Sequence, residues 1–509
     1  MSAAAVRGGA QLEGLQWPLG VDGRRGSVEP GRRIVAAALR VLDAAAADAA
    51  QTEARWRQSY PRHMRALVEL QLTHPAALVE SSRAGLDAAC RAMPFVRDGV
   101  ELALDQAMTK PGSVLATTTL RGDAGAPARW EVPYRGRQLH GEALARQIDR
   151  WQEAGVAEAD HCDALRRLLA HPEWFDLSDR RIVVLGAGSE AGALPWLARW
   201  RANLVAVDLP RPALWRRIAA QVRAGNATLI APRAADAPDD ISACGADLLT
   251  QAPEIAAWLG ALGGPFDIGH IAYADGERHV RVALAMDAIG AALSAADART
   301  TLAFMATPTD LFAVPEPLAL AIQSGYEARG LLQRAAQAGV RAGAAALGAQ
   351  SFVPHVESLI DAADGRRWGI VDAVVLQQGP NYLLAKRLQQ WRAWVARAAG
   401  QRVSIRVAPS TATTSVTHNR LLAAGFRGAK AFDVEVFAPA TTNALMAGLW
   451  VHDLRQGGTA ADDPTAGAAG LDDLADLALD ANHGGLWRVP YLPRSVLPLA
   501  ALLGMVRRG

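Results

Sequence analysis

The sequence predicts a doubly wound α/β fold, a parallel sheet with helices on both faces, preceded by a mainly helical N-terminal region. Three observations carry this expectation. From residue 181 onward, short β-branched runs alternate with amphipathic stretches, which is how a sheet covered on both sides is written. The first of those runs ends in a glycine-rich turn. The 509 residues, half apolar and a fifth charged, exceed what one core usually serves, so more than one structural unit is expected.

Composition narrows the function classes. Lys plus Arg number 53 against 51 for Asp plus Glu, and a formal charge of +2 gives no electrostatic reason to expect nucleic acid as a partner. A small-molecule substrate is expected instead. Cys90, Cys162 and Cys244 lie far apart and form no CxxC pair, which argues against disulfides and structural zinc and fits a reducing cytoplasm. The scattered histidines, among them His161, His171, His270, His355 and His418, offer no metal-ligand pair at helical spacing, so no metal is expected. The N-terminus lacks a signal-peptide pattern, and no window is read as apolar enough to form a transmembrane segment. The apolar stretch 496–506 reads as a docked terminal segment.

Taken in order, residues 1–178 form the mainly helical region, with an edge of a small sheet at 129–141 and helices at 142–154 and 165–169. Residues 179–453 form the α/β unit. Its strands are expected at 182–185, 204–207, 228–231, 267–273, 301–305 and 403–407, with helices at 280–295 and 382–399. Residues 310–378 read as an insertion, with a further strand at 370–376 and the makings of a substrate lid. Residues 454–509 comprise a Gly, Ala and Asp-rich linker at 456–470 and a C-terminal segment.

The strand at 182–185 runs into Gly186-Ala-Gly188-Ser-Glu-Ala-Gly192 and then a helix over 193–200. Glycines in such a turn let backbone approach a pyrophosphate, and a helix N-terminus offers free N–H groups. Asp208 ends the next strand about 20 residues on, where an acid can accept hydrogen bonds from ribose hydroxyls. That acid favours NAD, with NADP as the alternative because Arg211 lies close behind. S-adenosylmethionine in a methyltransferase would be served by the same strand, turn and acid.

Farther on, Tyr382 and Lys386 lie four residues apart on one helical face. A phenol is a poor acid–base catalyst at neutral pH unless a nearby cation stabilises its phenolate. Beyond that helix, a strand ends at Pro409 and a Thr-rich loop reaches Thr414.

Five features in this order, Gly186 to Gly192, Asp208, Asp247-Leu248, Tyr382 with Lys386, and Pro409 with Thr414, resemble the short-chain dehydrogenase/reductase family. The resemblance covers roughly 179–426 and implies a Rossmann-like NAD(P)-binding domain and an oxidoreductase. It implies that Gly186, Gly188, Gly192, Asp208, Asp247, Leu248, Lys386 and Thr414 bind the cofactor. Tyr382 would then exchange a proton with substrate oxygen, Lys386 would hold the nicotinamide ribose and lower the tyrosine's pKa, and Thr307 would stand in for a catalytic serine. Homo-oligomers paired through the tyrosine helix, with Trp391 and Trp394 contributing, are left open. The chain departs from the family's pattern at Glu190, where a glycine is usual, and at Pro195, early in the helix after the turn. Thr307 precedes Tyr382 by an unusual distance, and the family's asparagine after Tyr273 is missing. Two alternatives follow: an S-adenosylmethionine-dependent methyltransferase, and a non-catalytic nucleotide-binding protein of the same fold.

Overall fold

In the computed structural model, which describes residues 12–346, 348–456 and 470–506, seven strands form the central sheet. They are β1 (Leu115–Arg121), β2 (Arg181–Leu185), β3 (Asn203–Val207), β4 (Thr228–Ala234), β5 (Asp267–His270), β6 (Thr301–Ala306) and β7 (Val403–Val407). Their spatial order is β7-β6-β5-β2-β3-β4-β1. The six strands from β2 onward run parallel, and only β1 is antiparallel, against β4. The chain winds outward from β2 through β3 and β4, then returns to the other side of β2 for β5, β6 and β7. The order therefore reverses between β2 and β5, the place where such sheets open a ligand crevice at the carboxyl ends of their strands. The fold is Rossmann-like.

β2 and β3 are buried along nearly their whole length because helices cover both faces. On one face, helix Glu277–Ala296 packs against the tyrosine-bearing helix Gly379–Ala398. Arg392 spans the two, donating to both carboxylate oxygens of Asp287 at 2.5 and 2.8 Å. Helix Glu277–Ala296 corrects the expectation that no window is long and apolar enough to cross a membrane, since it meets that test by length and composition. It is nevertheless a core helix, because two-thirds of it (67%) is buried and Arg281 and Asp287 within it are ion-paired.

The N-terminal helices reach the same face. Leu78–Ala92 lies so close to the tyrosine helix that a Cβ on Gly85 would fall 2.4 Å from the Trp391 ring. Trp391 and Trp394 are buried within the chain, so their rings are committed to this internal packing. The N-terminal region also supplies β1, a hairpin of Val132–Tyr134 with Arg137–Leu139, and helices Gly141–Glu153 and Ala159–Ala170.

Boundaries differ from expectation in three places. The helix after the glycine turn is only Leu194–Leu197, because the chain must turn into β3 at Asn203; Pro195, in its first turn, removes no intrahelical hydrogen bond. β5 ends at His270, where Ile271 and Ala272 bend over to donate to Leu185 O. The strand expected at 370–376 is Arg367–Asp372, central in a three-stranded antiparallel sheet with Leu311–Pro315 and Ile360–Asp361. The terminal segment docks as helix Pro493–Val506 against Arg420–Gly428. The linker expected at 456–470 lies, apart from its two ends, outside the described residues.

Candidate functional site

The carboxyl ends of β2, β3, β5, β6 and β7 border two adjoining cavities. One, of about 480 Å³, is walled by Gly186, Gly188, Asp208, Arg211 and Arg217. The other, of about 260 Å³, is walled by Thr307, Thr309, Gln378, Tyr382 and Lys386 together with the Ser410–Ser415 loop. Ser189, Glu190 and Tyr273 line both, so the two form one groove across the switch point.

At the first end, Gly186 adopts φ +93°, and a Cβ there would fall 2.4 Å from the backbone of Ala272. Glycine is required because β2 and the chain leaving β5 touch at this point. Asp208 caps the turn: its two carboxylate oxygens accept from Gly188 N and Leu209 N, each at 2.7 Å. Burial raises its pKa, opposed by those two N–H groups and by Arg217 and Arg211. Arg217 in turn donates to Gly188 O at 2.9 Å.

At the other end, Gly379 at φ +78° and Pro380 in the first turn start the helix that carries Tyr382 and Lys386. Burial raises the Tyr382 phenol above its usual value, and hydrogen bonding with the Thr307 and Thr309 side chains pulls it back. Those two hydroxyls lie 2.9 Å apart. Lys386 is directed elsewhere, with Nζ donating to Met305 O at 2.9 Å and Gln389 Oε1 at 3.3 Å. Burial brings its pKa down to about 8, against the pull of Asp310. The threonine loop is anchored to the tyrosine helix by Asp310, which accepts from Arg387 at 2.7 Å and from Gln390 at 3.1 Å, all three side chains buried.

The site thus brings Gly186, Gly188 and Asp208 to one end and Thr307, Tyr382 and Lys386 to the other, despite the long insertion between Thr307 and Tyr382. Other expected residues stand back from the walls. Gly192 N closes the turn on Ser189 O. Asp247 accepts from Leu249 N and Leu248 is buried, neither bordering the groove. Thr414 is exposed, while its neighbours Thr413 and Ser415 face the cavity.

Glu190 has a defined role here. Its Oε2 accepts from Thr414 N at 2.8 Å, tying the glycine turn to the loop after β7 at the junction of the two cavities.

Three residues escaped the sequence reading. His279 is buried, stacks on Tyr382 with ring centroids 5.7 Å apart, and leaves both ring nitrogens without a partner. Burial and the nearby Lys386 hold its pKa well below the ordinary histidine value, so it is neutral. Tyr273 stands edge-on to Tyr382 at 6.3 Å, and Gln378 keeps a buried, unpartnered Oε1 in the cavity wall. The available signal was position, since Tyr273 and His279 follow directly on the carboxyl end of β5.

The ends of the groove suit a nicotinamide dinucleotide. The glycine turn and Asp208 stand at one, and the unpartnered acceptor of Gln378 stands beside Tyr382 at the other. The middle suits it less. The four-residue helix Leu194–Leu197 supplies no phosphate-binding N-terminus, and the Glu190 carboxylate occupies the junction.

No family model matches the sequence, and no curated protein matches it. Among solved structures, a similar chain from Beutenbergia cavernae is described as an NAD(P) dependent gluconate 5-dehydrogenase with NADP bound at low occupancy. It is 17% identical, the match covers 61% of this chain and 98% of that one, and the TM-score is 0.31. A score of that size carries no argument, so the fold rests on the strand order.

Proposed function

We infer that the protein is an NAD(P)-dependent oxidoreductase of the short-chain dehydrogenase/reductase type, acting between a carbonyl compound and its alcohol. The observation that carries this reading is the meeting of Thr307, Tyr382 and Lys386 in a cavity continuous with the one walled by Gly186, Gly188 and Asp208.

A bound nicotinamide would supply the hydride. Tyr382, kept protonated at neutral pH by burial, is suited to donate from its phenolic oxygen to a carbonyl oxygen. The Thr307 and Thr309 hydroxyls stabilise the phenolate that this leaves, since hydrogen bonds to a charged form favour it. Lys386, with a pKa of about 8, is largely cationic at pH 7 and reaches the cavity from the same helix face. Asp208 is the acceptor for adenosine ribose, and Arg211 and Arg217 beside it would accommodate a 2′-phosphate.

Titration with NADH and NADPH, followed by nicotinamide fluorescence and heat, tests the first half of the reading. Saturable binding that Asp208→Ala weakens is expected. For the second half, Tyr382→Phe should lower turnover of an identified substrate about 10²- to 10⁴-fold, and unchanged turnover would sink the assignment. A second reading, a non-catalytic protein of this fold, is favoured by the four-residue helix and by Glu190 at the junction. Failure of NADH, NADPH and S-adenosylmethionine alike to bind would select it.

A further inference from the structure

Beyond Thr309, the tyrosine cavity adjoins a second chamber of about 80 Å³. The two spaces share Thr309, Ser410 and Phe426 as common wall. Past the hydroxyls of Thr309 and Ser410 the lining is hydrocarbon: Phe432, Val434, Val436, Val489, Val496 and Ala500 are representative.

The chamber is roofed by two helices in backbone contact. A Cβ on Gly428 would fall 1.8 Å from Ala500 O, and one on Gly504 would fall 1.9 Å from Ala424 O. Arg420–Gly428 and Pro493–Val506 therefore cannot be drawn closer together, and any larger side chain at their glycines would force them apart. A roof that can approach no closer keeps the chamber from collapsing, and its volume limits what enters. Apolar cavities of about 150 Å³ suffice for a benzene ring, so this one of about 80 Å³ has room for an aliphatic group of about three carbons.

We propose that this chamber receives the apolar substituent of the substrate, making the protein selective for ketones, aldehydes or alcohols that bear a short aliphatic chain on the reacting carbon. The proposal rests on the oxidoreductase reading for the identity of the polar end, which lies at Tyr382 beside Thr307 and Thr309. A charged or polyhydroxylated substituent is disfavoured, because past Thr309 and Ser410 the walls offer no side-chain partner for its polar groups.

The test uses the full-length protein and a series of methyl ketones from 2-propanone to 2-nonanone. Binding is followed by ligand-observed NMR with and without NADPH, and reduction by NADH or NADPH is followed by absorbance. Affinity should rise about fourfold per added methylene and then stop rising after about three carbons. Val436→Phe, at a half-buried wall position, should abolish that increment, and Phe432→Ala should move the limit to longer chains. Unchanged melting temperatures will show that both variants fold. Length-dependent binding without hydride transfer would uphold the chamber while sinking the oxidoreductase reading. Hydride transfer with affinity indifferent to chain length would uphold that reading and overturn the chamber, as would a length dependence that neither variant alters.

Discussion

Glu190 shows how one side chain can set a binding property. A carboxylate beside a pyrophosphate is repulsive, and here it is held at the junction of the two cavities by the Thr414 N–H. Both residues are exposed, so water competes for this bond and it is worth about 1 kcal/mol, the amount by which a dinucleotide that must displace it binds more weakly. Glu190→Ala should tighten NADH or NADPH binding about fivefold in calorimetry. An unchanged dissociation constant would mean that the dinucleotide and the carboxylate do not compete. Lys386 yields a pH prediction with a definite sign. Its pKa is brought down to about 8, so it is cationic below that pH and neutral above it. Affinity for the anionic dinucleotide should fall as pH rises through about 8, and the step should be missing in Lys386→Met.

At the scale of elements, the tyrosine helix is the part most heavily braced. Asp310 with Arg387 fastens it to the loop after β6, Asp287 with Arg392 fastens it to the neighbouring helix, and Trp391 fits against Gly85. Breaking a buried pair such as Asp310 with Arg387 costs about 3–5 kcal/mol because the remaining charge stays buried. Gly85 tests the helix contact. Alanine gains helix propensity there, but the Trp391 ring is fully buried and has nowhere to retreat. Overpacking of this kind costs about 1–3 kcal/mol, so Gly85→Ala should lower the melting temperature, whereas propensity alone would raise it. This bracing was not legible in the sequence, since Gly85 and Trp391 lie in separate regions and neither motif nor periodicity joins them. The helix itself and the placing of Tyr382 and Lys386 on it were legible, because Pro380 marks its start and the Tyr382–Lys386 spacing its face.

For the molecule as a whole, buried histidines set the response to acid. Burial lowers His161 to about 3 and His270 and His355 to about 4, from an ordinary value of 6.5. The unfolded chain protonates these rings as pH falls below 6.5, while the folded chain does not until its lower values are reached. The unfolded state therefore binds more protons in that window, and stability declines as pH falls from about 6.5 toward 4, by up to about 1.4 kcal/mol per pH unit for each ring. Urea unfolding midpoints measured between pH 7 and 4.5 should fall steadily. A flat profile would mean that the rings are hydrated in the folded chain.

The sequence by itself determined the six parallel strands of the sheet, though not its antiparallel edge strand β1, which lies in the region read as mainly helical. β-branched runs bounded by turn residues specify strands locally, and five of the six expected parallel strands begin within a residue of their observed start and extend through or past their observed core. It also determined the acid after β3 and the tyrosine–lysine pair, because each lies at a set offset within one element. Tertiary structure alone decided how far the helix after the glycine turn could run, since the chain must return into β3 at Asn203. It alone carried Thr307 across a long insertion to Tyr382, turned Glu190 onto Thr414, and placed His279 on the tyrosine ring. Those are contacts between elements remote in the chain, and they arise from packing, which local periodicity does not encode.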